Sequence, residues 1–596
     1  MNKFFVAGMV VSLLSLVALA EESPEEVIEG EGEVVEPVTP PPVRYTATIL
    51  PGGTKTYTNP QYWDTGKVPD GYHVDVVIDN DPTQNTTVNF NLQNANCTNG
   101  FIRFDEGDKL NIATGYSGGG TTLRLFGTCV TNFGEIAFGS VKKNGQNYYL
   151  DARLEPSYNG LTGKIKIDSP NYQGYSHRMN WLLDGSVNDG EILLTSSGAQ
   201  YQYSGLNLEG GGTFTNNGTI TMKVTGGYSN NKPGASEFGL YGGDVQLAGT
   251  GTIRLDCSTR PVTGTQNPWI RVSGLDYKME NGVTHTIVGE GLIDNATVIN
   301  KGLIKSEGAV RSLDCRLQCY RNAQAIGGVR MSMTNDVTGR IVAASTNGIL
   351  FSYNSRPNWN ARFINLGLLE ARTECKIAFA NGINTTSTKT SDGDLNNFDT
   401  DYLELWGRIA GGGRFVTPRR IYIGDGARLM PGDLANTDGT GESTCGTITF
   451  PRLVLREPAA IPDSEETTSG AITEFQCRKP EAGKYDSVWV NGDATVAGTL
   501  RFLRQPKAGT YPLFTSTGTL TCDLSALKID LADGVKAPKL RLNTAATYTV
   551  EEPVLDEVSG EPVLDEETGL PKTQTVEMPC QRLEATWVGG FTVFVR

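Results

Sequence analysis

The chain has 596 residues, a formal net charge of −15 at pH 7 and 38% apolar side chains. Because one compact core seldom organises so long a chain, we expect either several domains or one elongated repeat architecture. The negative charge argues against nucleic acid and against anionic membrane surfaces as partners, since both bind clustered positive charge.

Residues 1–20 are the first predicted element, a secretory signal peptide. Lys3 supplies the positive charge, an apolar run begins at Phe4, and Ala18 and Ala20 form a small-x-small ending. An uncleaved membrane anchor is the alternative, and the short apolar run disfavours it. We therefore expect a secreted, cell-surface or periplasmic protein with no membrane span once the signal is cleaved.

Residues 21–43 contain eight Glu and neither Lys nor Arg. Like-charge repulsion and the absence of aromatic residues predict a disordered, acidic and proline-rich tether. The following stretch, residues 57–79, contains bulky Tyr62, Trp63 and Tyr72 and then the alternating sequence VDVVID. We interpret it as an N-terminal cap and first coil, because the first coil of a repeat rod has unpaired backbone to cover.

A short motif recurs from residue 132 onward: Asn, any residue, Gly, any residue, then Ile or Leu. Its copies are Asn132, Gly134, Ile136; Asn188, Gly190, Ile192; Asn216, Gly218, Ile220; Asn300, Gly302, Ile304; Asn365, Gly367, Leu369; and a stretched copy at Asn335, Gly339, Ile341. The first spacings are multiples of 28 residues and the later ones drift. Each copy predicts a tight corner between short strands, because Gly and Asn adopt positive φ at little cost.

A second phrase places a Gly-x-Gly pair between an apolar residue and a β-branched or aromatic residue. It spans 208–214, 247–253, 287–293 and 409–415. Short strands, regular corners and repetition at a few tens of residues predict an all-β fold, a parallel β-helix or β-solenoid. In such a coil the Asn side chains are placed to stack as a hydrogen-bonded ladder. The alternative is an unrelated Gly-rich β protein in which these motifs are merely frequent.

The sequence pattern changes near residue 424. GDGARLMPGD (424–433), GTITF (446–450), YDSVWVNGDATVAGTL (485–500) and AGTYPLFTSTGTL (508–520) follow in order. This series resembles the C-terminal part of bacterial autotransporter passenger regions. The resemblance implies a right-handed parallel β-helix with a β-rich closing region. We expect a capped repeat region at 44–423 and a passenger-like region at 424–596, with an acidic insertion at 551–578.

The chain departs from that family after Leu500. Fewer than a hundred residues remain, and they contain the acidic duplication EPVLDE at 552–557 and 561–566 rather than the many alternating strands of a membrane barrel. We therefore do not expect the protein to export itself.

Candidate chemical groups are few. Of three His, His73 falls in the cap, His177 in a Tyr-rich segment and His285 in an alternating strand, and none has a recognisable catalytic context. Cys315 and Cys319 are close in sequence but have no further ligands nearby for a metal. The best candidate metal site is a calcium loop with ligands two residues apart: Asp392, Asp394, Asn396, Asp399 and Asp401. An EF-hand register fails there, and a solvated loop between coils is the alternative.

Two surface groups complete the candidates. Arg414, Arg419, Arg420 and Arg428 are clustered in sequence, and we expect them to decorate an exposed strand face. Tyr172, Tyr175 and Trp181 have the chemistry to stack on sugar rings or to cover the end of an insertion.

The sequence favours a non-enzymatic β-helix of adhesin or structural type that presents loops to an extracellular glycan or surface protein. One alternative is a carbohydrate-active β-helix enzyme, a lyase or hydrolase, whose Asp and Glu residues converge from neighbouring coils. Another is a self-assembling surface-layer or matrix subunit. No cofactor is expected apart from the candidate calcium.

Overall fold

In the computed structural model, Arg44–Arg596 form one compact unit. The structure describes residues 43–78, 81, 83–90, 96–112, 124–138, 149–154, 157–169, 176–182, 186–196, 203–224, 235–257, 269–317, 331–353, 361–380, 383–384, 402–435, 444–459, 467–554, 562–565 and 570–588. The predicted signal peptide and tether therefore lie outside the described residues. Within them the only helical element is the 3-10 turn Pro60–Tyr62, and all other regular elements are strands.

In the described ranges, seventeen strands form sheet 1, and each pairs in parallel with its counterpart one coil away, in chain order. They are Gly53–Thr56, Thr86–Phe90, Lys109–Ile112, Glu135–Phe138, Lys164–Ser169, Glu191–Ser196, Thr219–Val224, Thr252–Asp256, Thr286–Gly289, Leu303–Ser306, Arg340–Ala343, Leu368–Ala371, Arg408–Gly411, Arg428–Pro431, Ile472–Phe475, Thr499–Phe502 and Lys528–Leu531. At about 4.8 Å per strand, the stack is about 77 Å long.

Sheet 2 has twenty-six strands in the part of the chain that the structure describes, and it supplies one or two strands to each coil. They are Tyr45–Ile49, Val74–Ile78, Asn96–Phe104, Arg124–Asn132, Tyr149–Leu154, Tyr158–Asn159, Ser176–Leu182, Val187–Asn188, Tyr203–Glu209, Gly212–Asn216, Ala235–Tyr241, Val245–Ala248, Trp269–Asn281, Gly291–Asn300, Leu313–Leu317, Met331–Asn335, Ile349–Tyr353, Ala361–Asn365, Lys376–Phe379, Ile383–Asn384, Arg414–Val416, Thr447–Phe450, Ser487–Val490, Gly509–Ser516, Lys539–Pro553 and Thr573–Trp587.

From residue 402 the second strand of each coil belongs to a separate sheet 3 of five parallel strands. These are Tyr402–Leu405, Arg420–Ile423, Leu453–Leu455, Ala494–Val496 and Leu520–Cys522. The coil thus has three faces, and the predicted parallel β-helix is confirmed. Its right-handedness stays a prediction.

The last residue of the repeated motif forms the spine of the core. Ile192 lies in register between Ile165 and Ile220, and the same column continues coil after coil with an Ile or Leu at each position. The column comprises Ile136, Ile165, Ile192, Ile220, Ile253, Ile287, Ile304, Ile341, Leu369, Ile409 and Leu429. Each of these side chains is at most 2% exposed, so each contributes roughly 1.5–3 kcal/mol of burial free energy.

The first residue of the motif forms the predicted ladder. Asn132, Asn159, Asn188 and Asn216 are hydrogen-bonded in series, with Nδ2 of each donating to Oδ1 of the next at 2.7 Å. The second segment runs Asn281, Asn300, Asn335 and Asn365 at 2.7–2.8 Å. The second Nδ2 proton is used as well, since Asn335 also donates to the Leu368 carbonyl at 2.9 Å. An Asn side chain therefore satisfies two acceptors at a fully buried corner.

A histidine bridges the two segments of the ladder. The coil after Asn216 has Gly249 at the corner, and His285 fills the missing place: its Nε2 lies 3.1 Å from Asn216 Nδ2 and its Nδ1 2.7 Å from Asn281 Oδ1. Because an amide nitrogen only donates and an amide oxygen only accepts, the imidazole must be neutral with its proton on Nδ1. Burial lowers the pKa of His285 to about 4.

Glycine is needed in the motif for a different reason from the one predicted from the sequence. A Cβ on Gly218 would lie 1.9 Å from the Gly190 carbonyl oxygen, and one on Gly190 would lie 2.2 Å from the Gly163 carbonyl oxygen. Neither glycine has a positive φ. Within the described chain, Glu374 is the only residue other than glycine with a positive φ. The expectation of positive φ was therefore wrong for this motif. It was right in the second phrase, where Gly210, Gly211 and Gly212 have φ of 93°, 73° and 113°.

Both ends of the solenoid are closed by the chain itself. At the first coil, Leu50 and Asp64 make backbone bonds at 2.9 and 3.0 Å that lay Tyr62–Asp64 along the edge of Tyr45–Ile49, while Trp63 is 3% exposed. At the last coil, Gly509–Ser516 pairs antiparallel with Thr573–Trp587, which in turn pairs antiparallel with Lys539–Pro553. The predicted cap and β-rich closing region are confirmed.

The close approach of neighbouring backbones at the corner glycine can be tested by introducing Asn at two different glycine positions. We expect Gly218→Asn to reduce the free energy of unfolding by about 3 kcal/mol, because the backbone must move to admit the side chain. Gly534 has φ of 78° and no atom within 4 Å of its added Cβ, so Gly534→Asn should cost less than about 1 kcal/mol. Urea denaturation measures both. Equal tolerance at the two sites would contradict the close-approach explanation.

The ladder histidine predicts a specific pH dependence. Its folded pKa of about 4 lies below the ordinary histidine value of 6.5, so the unfolded chain binds the proton more tightly and stability falls as pH decreases from 6.5 to 4. The loss is about 3 kcal/mol at the acid end of this window. We expect His285→Gln to remove that part of the pH dependence, measured as urea midpoints at pH 7 and pH 4.5.

A direct measurement supplements the variant. In selectively ¹⁵N-labelled protein, the His285 ring should give the ¹⁵N shifts of a neutral imidazole with its proton on Nδ1 at pH 5.5. A protonated His285 at that pH would contradict the ladder geometry.

Candidate functional site

On the outer face of sheet 2, two carboxylates lie close to one arginine. Asp294 lies on Gly291–Asn300, Asp314 and Arg316 lie on Leu313–Leu317, and Ser352 lies on Ile349–Tyr353. Asp294, Arg316 and Ser352 are directly opposite one another across the three strands. The alternate positions Ile293, Cys315 and Phe351 are buried in the core, so the polar set faces outward from sheet 2. We call these four residues the sheet 2 polar cluster.

The two carboxylates of the sheet 2 polar cluster differ in environment. Arg316 donates to both oxygens of Asp294, at 3.2 and 2.5 Å, and the Asp294 side chain is 0% exposed. Asp314 accepts a hydrogen bond of 2.5 Å from Ser352 Oγ, and burial raises its pKa despite that bond and the nearby arginines. One carboxylate is thus held in an ion pair, whereas burial raises the pKa of the other.

This difference has a chemical meaning. Glycoside hydrolysis needs one carboxyl group that donates a proton and one that stays ionised. Asp314 has the environment of a proton donor. Asp294, however, is fully buried and clamped by Arg316, so in this arrangement it holds the strands rather than activating water.

A second polar group lies outside sheet 1. Oε1 of Glu370 accepts from the Leu434 amide at 3.0 Å, and Asp433 accepts from the Thr373 and Gly412 amides at 2.9 and 2.8 Å. Leu434 itself covers Leu368 and Ala410, which are buried outside the main core. Burial raises the pKa of Glu370. These contacts fasten the segment after Pro431 to the sheet.

The Tyr-Asp pair of the passenger-like phrase has a structural role. Asp486 accepts from the Gln476 amide at 2.6 Å and the Gly446 amide at 3.1 Å, and burial raises its pKa to about 8. Tyr485 packs edge-on against Tyr511. The pair therefore closes the corner between sheet 1 and sheet 2.

The residues singled out from the sequence have mixed outcomes. All five candidate calcium ligands, Asp392, Asp394, Asn396, Asp399 and Asp401, lie outside the described residues, as do Tyr172, Tyr175 and Cys319. Within the described ranges, no group of three or more His, Cys, Asp or Glu side chains is arranged to hold a metal ion. Trp181 and His177 lie on the strand Ser176–Leu182.

The expected arginine cluster does not form. Arg414 lies in sheet 2, Arg420 in sheet 3 and Arg428 in sheet 1, because each coil distributes consecutive strands over different faces. Arg419 is only 8% exposed. The expectation of one exposed basic face was wrong.

Most of the cysteines whose burial the structure describes are buried. Cys315, Cys375, Cys445, Cys477, Cys522 and Cys580 are free thiols. Burial raises the pKa of Cys315 and of Cys477, which leaves both protonated and unreactive at neutral pH.

Sequence reasoning missed three members of the ladder and the whole sheet 2 polar cluster. Asn159 and Asn281 begin NGLTGKI and NGVTHTI, which are stretched motifs like that of Asn335 and could have been found by allowing two extra residues. His285 occupies the glycine position of its copy. Asp294 and Arg316 are 22 residues apart and belong to no linear motif.

No family model and no curated protein matches the chain. The stacked parallel strands agree with the β-helix that the passenger resemblance implied, while membership of that family stays a prediction. In the part of the chain with described coordinates, no helix is long and apolar enough to cross a membrane.

The role of Arg316 as a clamp is testable. We expect Arg316→Met to reduce the free energy of unfolding by about 3–5 kcal/mol, because the Asp294 carboxylate stays buried without its cation. Arg254→Met is the matched control: Arg254 pairs with Glu307 at 3.1 Å, with side-chain exposures of 46% and 36%. That change should cost less than about 1 kcal/mol. Equal effects in urea denaturation would contradict the clamp.

Proposed function

We propose that the protein is a non-enzymatic, exported or cell-surface β-helix of adhesin or structural type. In this proposal it acts as a stiff scaffold that presents short segments for many weak contacts with an extracellular glycan or surface protein. The observation that carries the proposal is the stacking of the coils in sheet 1, in which the Ile column continues through successive turns beside the ladder.

Because the strands of successive coils are in register, the connections between sheet 1 and sheet 2 begin along one edge of the solenoid. Five consecutive chain segments connect sheet 1 to sheet 2. The five sheet 1 strands that precede them are parallel neighbours in the stack, and so are the five sheet 2 strands that follow them. The segments are 139–148, 170–175, 197–202, 225–234 and 258–268. Their ends therefore recur at about 4.8 Å per coil. Their sequences are rich in Tyr, Asn, Gly and Ser, the composition of adaptable binding loops.

Binding measurements on the purified protein test the proposal. On glycan arrays and on cells, we expect weak binding by the free protein and an increase of about 10²–10⁴-fold when it is displayed on beads, because many weak contacts then act together. Replacing Tyr172 and Tyr175 with Ser should weaken binding without changing the melting temperature. Tyr72→Ser, at a side chain 55% exposed in the cap, is the control.

The second candidate is the carbohydrate-active enzyme, favoured by the unlike carboxylates of the sheet 2 polar cluster. The same polysaccharides that bind are assayed for release of reducing sugar or unsaturated product. Turnover that is lost in Asp314→Asn and kept in Asp425→Asn, at an exposed loop, would replace the adhesin proposal with this one.

A further inference from the structure

Among the described residues, the outermost strand at the C-terminal end of sheet 2 has one edge with no strand paired to it. Lys539–Pro553 pairs with Thr573–Trp587 on one side, and no described residue pairs with its other side. The strand has 15 residues, which is about 50 Å of backbone. It follows Gly509–Ser516 and Thr573–Trp587 in the stack, so it is the outermost strand at the C-terminal end of the solenoid.

This edge has only one of the usual protections against association, a bulge between Asn543 and Ala546. Natural edge strands are interrupted by charges, prolines or bulges that discourage a further strand. Here residues 542–550, LNTAATYTV, carry neither a charge nor a proline. The exposed charges lie beyond this stretch and are separated by sign: Lys539 and Arg541 precede it, whereas Glu551 and Glu552 follow it.

We propose that a second copy of this chain pairs with the edge, antiparallel and about a two-fold axis near Ala546. This pairing places Arg541 of each copy opposite Glu551 of the other, and Leu542 opposite Val550. The basic half of one strand then lies beside the acidic half of its mate, so one opposite-charge pair forms at each end of the joint, two per dimer. The added strand continues sheet 2 across the joint by backbone hydrogen bonds.

The order of charges along the strand identifies a second copy of the chain as the partner. A strand that is basic at its start and acidic at its end is complementary to its own antiparallel copy, and a two-fold joint uses the same surface on both partners. Extension beyond a dimer is not available at the opposite end, because Tyr62–Asp64 covers the edge of the first strand. The expected assembly is a closed, tail-to-tail dimer that carries its candidate binding segments on two rods.

Sedimentation and small-angle scattering of the purified protein test this joint. We expect a dimer whose length is about twice that of the monomer and whose cross-section is unchanged. Glu551→Arg places like charges opposite each other twice per dimer and should raise the dissociation constant at least ~10-fold. The double variant Glu551→Arg with Arg541→Glu should restore dimerisation. Glu577→Arg, an exposed position on the neighbouring strand, is the matched control and should leave the dissociation constant unchanged.

Each remaining outcome would overturn the proposal. These outcomes are a wild-type protein that stays monomeric at tens of micromolar, a dimer of doubled cross-section, an unchanged dissociation constant in Glu551→Arg, and failure of the charge swap to restore pairing. Far-UV circular dichroism of each variant separates loss of pairing from loss of folding.

Discussion

Every coil of this solenoid must present the same chemistry to its neighbour at the same place, about 4.8 Å away. That spacing is too short for a side chain between corner backbones and suitable for a hydrogen bond between corner amides. The glycine of the motif meets the first requirement and the asparagine meets the second. The isoleucine beside them supplies the core column, so three residues of each copy account for the corner, its hydrogen bonds and its packing.

The bridge at His285 shows which part of this constraint is strict. The coil between Asn216 and Asn281 has no corner asparagine, and the chain length from Asn281 to Asn300 is only 19 residues, against 27–29 in the earlier coils. The ladder nevertheless continues, because a neutral imidazole donates on one side and accepts on the other as an amide does. What is preserved is the order of donor and acceptor, whereas coil length and residue type vary.

The repeat made much of the fold predictable, and its limits follow from the same physics. The corners at Asn132, Asn216 and Asn365 were visible because corner chemistry is local. The even spacing of 84 residues from Asn216 to Asn300 was misleading, since three unequal coils happen to sum to it. Arg414, Arg420 and Arg428 looked clustered because linear proximity ignores the turn between faces. Asp294 and Arg316 could not be paired from the sequence, since their contact depends on the length of the coil between them.

The hydrogen-bonded amides of the ladder all point one way. Each donates toward the following coil and accepts from the preceding one, and the row begins at Asn132, whose buried Oδ1 has no partner in the described structure because Phe104 precedes it. A duplicated coil can therefore enter the interior of the row and find a donor behind it and an acceptor ahead. Gene duplication of single turns would lengthen such a protein without redesigning its neighbours, which makes the number of coils the property most free to change during evolution.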